Sequence, residues 1–374
     1  MPSFPTREQN ELLRRLARDP RFVRQQQERP QAPKTPPTKY RRVGRRQQRW
    51  ELPRALPPYE VVQDESIGGK ATKWVIRGPG GDDDFYIAKF GNKNGRTEVF
   101  TELFNNQLGE ALGFDMAHSG VARLDNQLYF ISQNFRRSER LIHGSLLIED
   151  AFEAKDELER IETDREQQFY SIDFIEAVIA HTCGQSTPSV FCSLLEMLVF
   201  DCLIGSMDRH ATNWGVLRSN FVGEDGNPAG FRLAPIFDSA RALLWDRPEG
   251  KLLLLDNDPQ ELVGYLARSR PCMGPAPDHN NVNVCNHFDF FKSLLERYPH
   301  QVEGASRKIL PIDVRRIAGK LLNQFPFSRA FSSLRKRVVL KVLSARADIL
   351  KRVGQGEASV QAIQAAVQDP TAHD

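Results

Sequence analysis

Cysteine is scarce in this sequence of 374 residues: there are five (Cys183, Cys192, Cys202, Cys272 and Cys285), an odd number with no C-x-x-C pair. That argues against a disulfide framework and a thiolate metal knuckle, and it suits a reducing compartment. There is no uninterrupted apolar run near the roughly 20 residues that span a bilayer. The N-terminus has no apolar core of the kind a secretory signal carries. The expectation is a cytoplasmic protein. No internal repeat is present, and the net charge is only +3. A P-loop of the Walker A type is excluded at the one glycine turn that invites it, Ser66-Ile67-Gly68-Gly69-Lys70-Ala71. Asp64 stands where the first glycine would be needed, and Ala71 stands where Ser or Thr must follow the lysine.

The small net charge hides a division. Residues 1–56 hold 15 Lys and Arg against 5 Asp and Glu, whereas the rest holds 36 against 43. Residues 1–58 also hold ten of the 23 prolines, and from Gln25 to Arg54 there is too little apolar material to pack a core. This reads as a disordered basic arm that can meet an acidic partner, nucleic acid, an anionic membrane surface or the protein's own acidic body.

From Tyr59 the pattern changes. Tyr59–Val62, Lys73–Arg77 and Phe85–Phe90 alternate like strands, separated by Gly- and Asp-rich turns. Thr97 to about Leu112 has apolar residues at helical spacing and stops at Gly113. Gly120–Leu124 and Gln127–Ser132 form a further hairpin. Beyond Arg136 the pattern is helical: Ser171–Thr182, Thr187–Gly205, Gln260–Ser269, His287–Tyr298, Pro311–Leu322 and Ser328–Val353. Two strand-like stretches, Trp214–Leu217 and Phe231–Phe237, interrupt it and flank a turn at Gly223–Gly230. The division expected is an arm over 1–58, a β-rich lobe over 59–135, a helical lobe over 136–354 and a weakly structured tail over 355–374.

Four groups carry chemistry. The glycine turn, with Ser66, Gly68, Gly69 and Lys73, allows backbone amides and lysine charge to approach phosphate oxygens; a plain hairpin turn is the simpler alternative. Lys89 falls on the same strand face as Phe85 and Ile87, toward the lobe interior. There it needs an anionic partner, for which Glu102 on the following helix is better placed than Glu98. Asp208 and Asn213 lie five positions apart on a loop between an apolar helix and a strand. A carboxylate there can accept a hydroxyl proton while the carboxamide holds a metal ion. His210, between them, reads as a brace for the loop. Asp238 ends an apolar strand-like run and suits a second metal ligand, although it precedes Ser239-Ala240 rather than Phe-Gly.

In order and type these residues resemble the HipA-like serine/threonine kinases, over roughly residues 60–245 by motif. The resemblance implies an α+β, two-lobed protein-kinase-like fold, with a small β-rich N-lobe and a larger helical C-lobe. It implies ATP- and Mg2+-dependent phosphorylation of a protein Ser or Thr hydroxyl. Ser66, Gly69 and Lys73 fit the family's phosphate loop, Ser-x-x-Gly-x-x-x-Lys. Lys89 matches its ATP lysine and Glu102 its helix glutamate. Asp208 matches its base, and Asn213 and Asp238 match its metal ligands. Ser132–Arg136, with Gln133 and Phe135, falls where the hinge meets adenine. The family's catalytic loop, Asn-x-Asp-x-His-x-Lys-Asn, is altered in two places: Ser206 replaces the Asn and Thr212 the Lys, with Arg209 a candidate to supply the missing charge. Ser66 is a candidate autophosphorylation site. The basic arm stands where the family has a further subdomain, which leaves an antitoxin-type partner open. Two other readings remain. One is a phosphatidylinositol 3/4-kinase-like lipid kinase, whose Asp-Arg-His-x-x-Asn the loop also fits. The other is a kinase fold without catalysis, binding partners through the arm.

Overall fold

The computed structural model describes residues 60–63, 73–77, 85–91, 95–124, 127–134, 139–152, 170–219, 230–275 and 285–368. The basic arm, the glycine turn with Ser66, Gly68 and Gly69, the hinge residue Phe135 and most of the turn at 223–230 lie outside them.

Strands β1 (Glu60–Gln63), β2 (Lys73–Arg77) and β3 (Phe85–Phe90) are followed by helix α1 (Arg96–Ala111), then by the hairpin β4 (Ser119–Leu124) and β5 (Gln127–Gln133). The five strands form one antiparallel sheet in the order β1-β2-β3-β5-β4. Alternation gives it two faces. Trp74, Ile76, Ala88, Tyr129 and Ile131 bury one of them in a small apolar cluster of its own. On the other, Phe130 joins Val99, Leu103 and Phe104 of α1 in the main core.

The chain continues through β6 (Glu139–His143), α2 (Gly144–Phe152), α3 (Ile172–Cys183) and α4 (Thr187–Ile204). Helix α4 is apolar on nearly every side and is buried from Val190 to Ile204 apart from three positions, which makes it the axis of the larger lobe. The run Ile172–Ile204 has the length and apolar character of a membrane span, but 67% of its most apolar stretch is packed inside the protein. After α4 come a short 3-10 turn at Ala211–Asn213, β7 (Gly215–Ser219) and β8 (Phe231–Leu233). A second antiparallel sheet, β6-β7-β8, flanks that turn.

The remaining helices are α5 (Glu249–Asn257), α6 (Pro259–Ala267), α7 (His287–Arg297), α8 (Pro299–Arg307), α9 (Val314–Asn323), α10 (Phe327–Ala330), α11 (Ser333–Gly354) and α12 (Ser359–Gln368). Helix α1 is pinned to them by aromatic edges: the Phe104 and Phe327 rings lie 5.5 Å apart, and those of Phe100 and Phe331 6.5 Å apart.

Two expectations are corrected. The helix expected over Ser328–Val353 is broken at Phe331 and Ser332, both extended, because the Ser332 hydroxyl accepts from the Arg335 N–H at 3.0 Å and starts a new helix. The tail expected to be weakly structured over 355–374 contains α12, which buries Ala362, Ile363, Ala366 and Val367. Its apolar face is built mainly from alanine, so its signal in the sequence is small. The pattern also missed β6, α2, α5 and α8. Among the described residues none of the five cysteines forms a disulfide.

Candidate active site

The in-register pairing of β2 with β3 sets Lys73 directly opposite Lys89. Like charges facing each other across two strands repel, so this pair requires an anion. Asp238 supplies it. Its carboxylate accepts a short hydrogen bond from Lys89 Nζ and lies 3.7 Å from Lys73 Nζ. Behind Lys89, Glu102 on α1 approaches its ammonium at 3.2 Å. Of the two glutamates on this helix, Glu102 is the one that meets Lys89.

The two carboxylates around Lys89 diverge. Burial pushes the Glu102 carboxyl up to about 7, with Lys89 pulling the other way. Asp238 is also pushed up by burial, but Lys89 and Lys73 together outweigh this and hold it well below the usual carboxylate range. For Lys89 burial works against the charge, yet Asp238 and Glu102 outweigh it and raise the ammonium above its ordinary value. Asp238 thus lies as a carboxylate between two lysine side chains. Its backbone is left-handed, at φ 56°, unusual outside glycine although Asp is among the residues that tolerate it. The Asn105 side chain of α1 donates to the next carbonyl, that of Ser239, at 2.8 Å.

Asp208 and Asn213 come to this cleft on the loop after α4. Arg209 shapes that loop. Its guanidinium is sealed from solvent and holds Asp201 through two hydrogen bonds at 2.8 and 2.9 Å. The same side chain donates through Nη1 to the carbonyls of both Asn213 (2.7 Å) and Phe237 (2.6 Å), and through Nη2 to Ser239 Oγ (3.3 Å). One nitrogen therefore ties the residue before Asp238 to Asn213. This corrects the idea that Arg209 replaces the lysine absent from position 212: its donors are spent inside the protein.

The Asn213 carboxamide nitrogen donates to the Asp208 carbonyl at 2.7 Å and lies 3.3 Å from His210 Nε2. His210 Nδ1 lies 2.8 Å from Thr212 Oγ1. Contacts at both ring nitrogens let His210 brace the loop. From the other side, His143 Nδ1 lies 3.0 Å from the Thr212 carbonyl; burial holds the His143 ring below its ordinary pKa. Gly144, which follows it, has no room for a side chain: a Cβ would lie 2.4 Å from the Trp214 ring and 2.8 Å from the Ala211 carbonyl.

Among the described residues no group of three His, Cys, Asp or Glu side chains is arranged to hold a metal. Magnesium needs fewer, commonly one or two protein oxygens completed by water and phosphate. Asp238 and the Asn213 carboxamide oxygen are the candidate oxygens. The latter is turned away from the Asp208 carbonyl by the bond its own nitrogen makes. Of the two hinge residues, Gln133 ends β5 with its N–H already donated to the His118 carbonyl at 2.8 Å.

Sequence reasoning missed two residues. Arg241 contacts Asp208: Nη1 lies 3.0 Å from Oδ1. Arg346 on α11 lies beneath the loop and donates to the last carbonyls of α4, those of Cys202 and Leu203, and to Ser269. Among the described residues no carboxylate pairs with it, and burial lowers this guanidinium to about 10. It also packs over Gly205, whose φ of 65° lets the chain leave α4. Neither arginine belongs to a local motif, so only a search for distant cations could have raised them.

The fold and this cleft together define a two-lobed, kinase-like protein. The HipA-like C-terminal domain family matches residues 65–270, over half of the chain, and the protein belongs to that family. The Helicobacter pylori proinflammatory kinase CtkA has the same fold, with a TM-score of 0.60 and 18% identity, covering 83% of this chain and 96% of that one. A chain of the Shewanella oneidensis toxin–antitoxin complex of HipA, HipB and operator DNA aligns at a TM-score of 0.46 and 13% identity, covering 80% of this chain and 67% of that one. No curated protein sequence matches.

Proposed function

We propose that this protein is a kinase that uses ATP and magnesium to phosphorylate a Ser or Thr hydroxyl of another protein. One observation carries the reading: Lys73 and Lys89, paired across two strands, converge on Asp238 with Glu102 behind them. Two lysines set side by side and matched by one carboxylate are suited to polyphosphate, which supplies more negative charge than Asp238 does.

In this reading Lys89, oriented by Glu102, and Lys73 bind phosphate oxygens. Asn213 and Asp238 hold magnesium, which neutralises charge on the phosphates when bound. Asp208 accepts the hydroxyl proton. The substrate oxygen bonds to the γ-phosphorus while the bond from that phosphorus to the β–γ bridging oxygen breaks, and the electron pair leaves with ADP. The arm, residues 1–56, serves as a tether to an acidic partner or surface, and the enzyme acts in the cytoplasm.

The test is incubation with labelled ATP and Mg2+, wild type beside Asp208→Ala and Asp238→Ala. Label is expected on protein with wild type and lost by about 10^2-fold or more in each variant. Equal label in both variants would sink the mechanism. Label on phosphoinositide rather than protein would make the enzyme a lipid kinase. Removing residues 1–56 should leave phosphorylation of a small substrate unchanged.

A further inference from the structure

The cations around the cleft are unequal in what they have left to give. Lys73 and Lys89 face Asp238. Arg209 is buried, and its donors are taken by Asp201, Asn213, Phe237 and Ser239. Arg241 differs. It lies three residues after Asp238, its side chain is 29% exposed, and a single nitrogen, Nη1, is engaged, with Asp208. The other guanidinium donors make no hydrogen bond among the described residues.

This side chain is also held in place. The Arg241 carbonyl accepts from the N–H of Met207, the residue before Asp208, at 3.2 Å, and the next turn is tied to α4 by the Leu243 N–H on the Ile204 carbonyl at 2.9 Å. The guanidinium lies over the Trp245 ring, 5.5 Å from its centre, which restrains it in the way aromatic faces restrain cations. The result is a fixed, half-open guanidinium with spare donors, in contact with the carboxylate that receives the hydroxyl proton in the reaction proposed above.

Resting on that kinase reading, we infer that Arg241 is a catalytic residue that donates to the oxygens of the phosphoryl group in flight. A hydroxyl within about 3 Å of Asp208 places the phosphorus some 3–3.5 Å further on, inside the reach of a guanidinium whose Nη1 touches the same carboxylate. The phosphoryl group in such transfers carries its charge on three equatorial oxygens. An arginine supplied to them accelerates transfer by roughly 10^3–10^5-fold. Position 212 carries no cation and the Arg209 donors are engaged, so the charge comes from the segment after Asp238. The bonds made and broken are those already given; Arg241 gives up no proton and forms no covalent bond.

The test compares wild type, Arg241→Gln, Arg241→Lys and the double variant Arg241→Gln/Thr212→Lys on the full chain, reading kcat, KM for ATP and binding of a fluorescent ATP analogue. Thr212 contacts His210, which lies 3.8 Å from Asp208, so a lysine at 212 reaches the same ground. Arg241→Gln should lower kcat by about 10^3-fold while leaving analogue binding and the thermal midpoint near wild type. Lysine at 241 should recover part of the loss, and lysine at 212 should restore at least about tenfold, one step of roughly 1.4 kcal/mol. Wild-type kcat in Arg241→Gln would overturn the inference, and a higher kcat would make Arg241 a brake on Asp208 instead. A loss that neither lysine restores would assign it a packing role. A wild type that neither binds nucleotide nor phosphorylates would bring down the kinase reading itself, a result distinct from any of these.

Discussion

Lys89 on β3 donates to the Asp238 carboxylate, which lies 149 residues further along the chain. The bond joins the five-stranded sheet to the segment after β8 and closes the cleft between them. It also satisfies a charge that β-sheet register created, since Lys73 faces Lys89 across two strands. Replacing Asp238 by Asn keeps a residue that tolerates φ 56° but removes the charge. The expected outcome is a folded protein whose phosphorylation rate falls roughly 10^2–10^3-fold, with a weaker dependence on Mg2+ concentration. Rate measurements over a magnesium titration check it.

Arg209 and Asp201 form a buried, two-bonded ion pair. Removing one partner leaves an uncompensated charge, so Arg209→Ala should cost about 3–5 kcal/mol. It should also release Asn213 and Phe237 from their shared donor. Urea unfolding gives the first effect. Loss of activity in the folded fraction gives the second.

Gly144 packs against Trp214, the chain neighbour of Asn213, and Ala211, two residues before it. Gly144→Ala should strain the catalytic loop and cost about 1–3 kcal/mol. Gly250, where nothing lies within 4 Å of an added Cβ, is the control. Its alanine variant should match or exceed wild-type stability, since alanine favours the helix. Thermal midpoints of the two variants decide the point.

His287 links α7 to the start of the catalytic loop through the Ser206 carbonyl, 2.8 Å from Nε2. Burial, aided by Arg346, lowers its pKa from 6.5 to about 3. The unfolded chain therefore binds the proton more tightly than the native one. The stabilising contribution of neutral His287 is complete above about 6.5 and is lost as the pH falls toward about 3. His287→Gln should flatten the fall in urea midpoint between pH 7 and pH 5 seen in wild type.

Much of the fold was legible because its signals are local. Alternation in Lys73–Arg77 and Phe85–Phe90, helical spacing in α1 and the stop at Gly113 each involve a few neighbouring residues. Elements with weaker local signals were lost: α12 has an alanine face, and none of the five residues of β6 is fully buried. The Ser332 break was hidden because one serine among helix-favouring residues does not stand out until its hydroxyl finds the Arg335 N–H.

The sequence by itself determined the identity and spacing of Lys89, Glu102, Asp208, Asn213 and Asp238, and the strand or helix that carries most of them. Residue type and short-range periodicity are properties of a segment and survive without its surroundings. The tertiary structure alone decided which charges meet. Arg209 is next to Asp208 in the chain, yet its guanidinium turns inward to Asp201. Arg241 is 33 residues away and reaches the Asp208 carboxylate. A loop's direction is set by the groups buried beneath it, here Asp201 and Arg346, and those lie outside any local window.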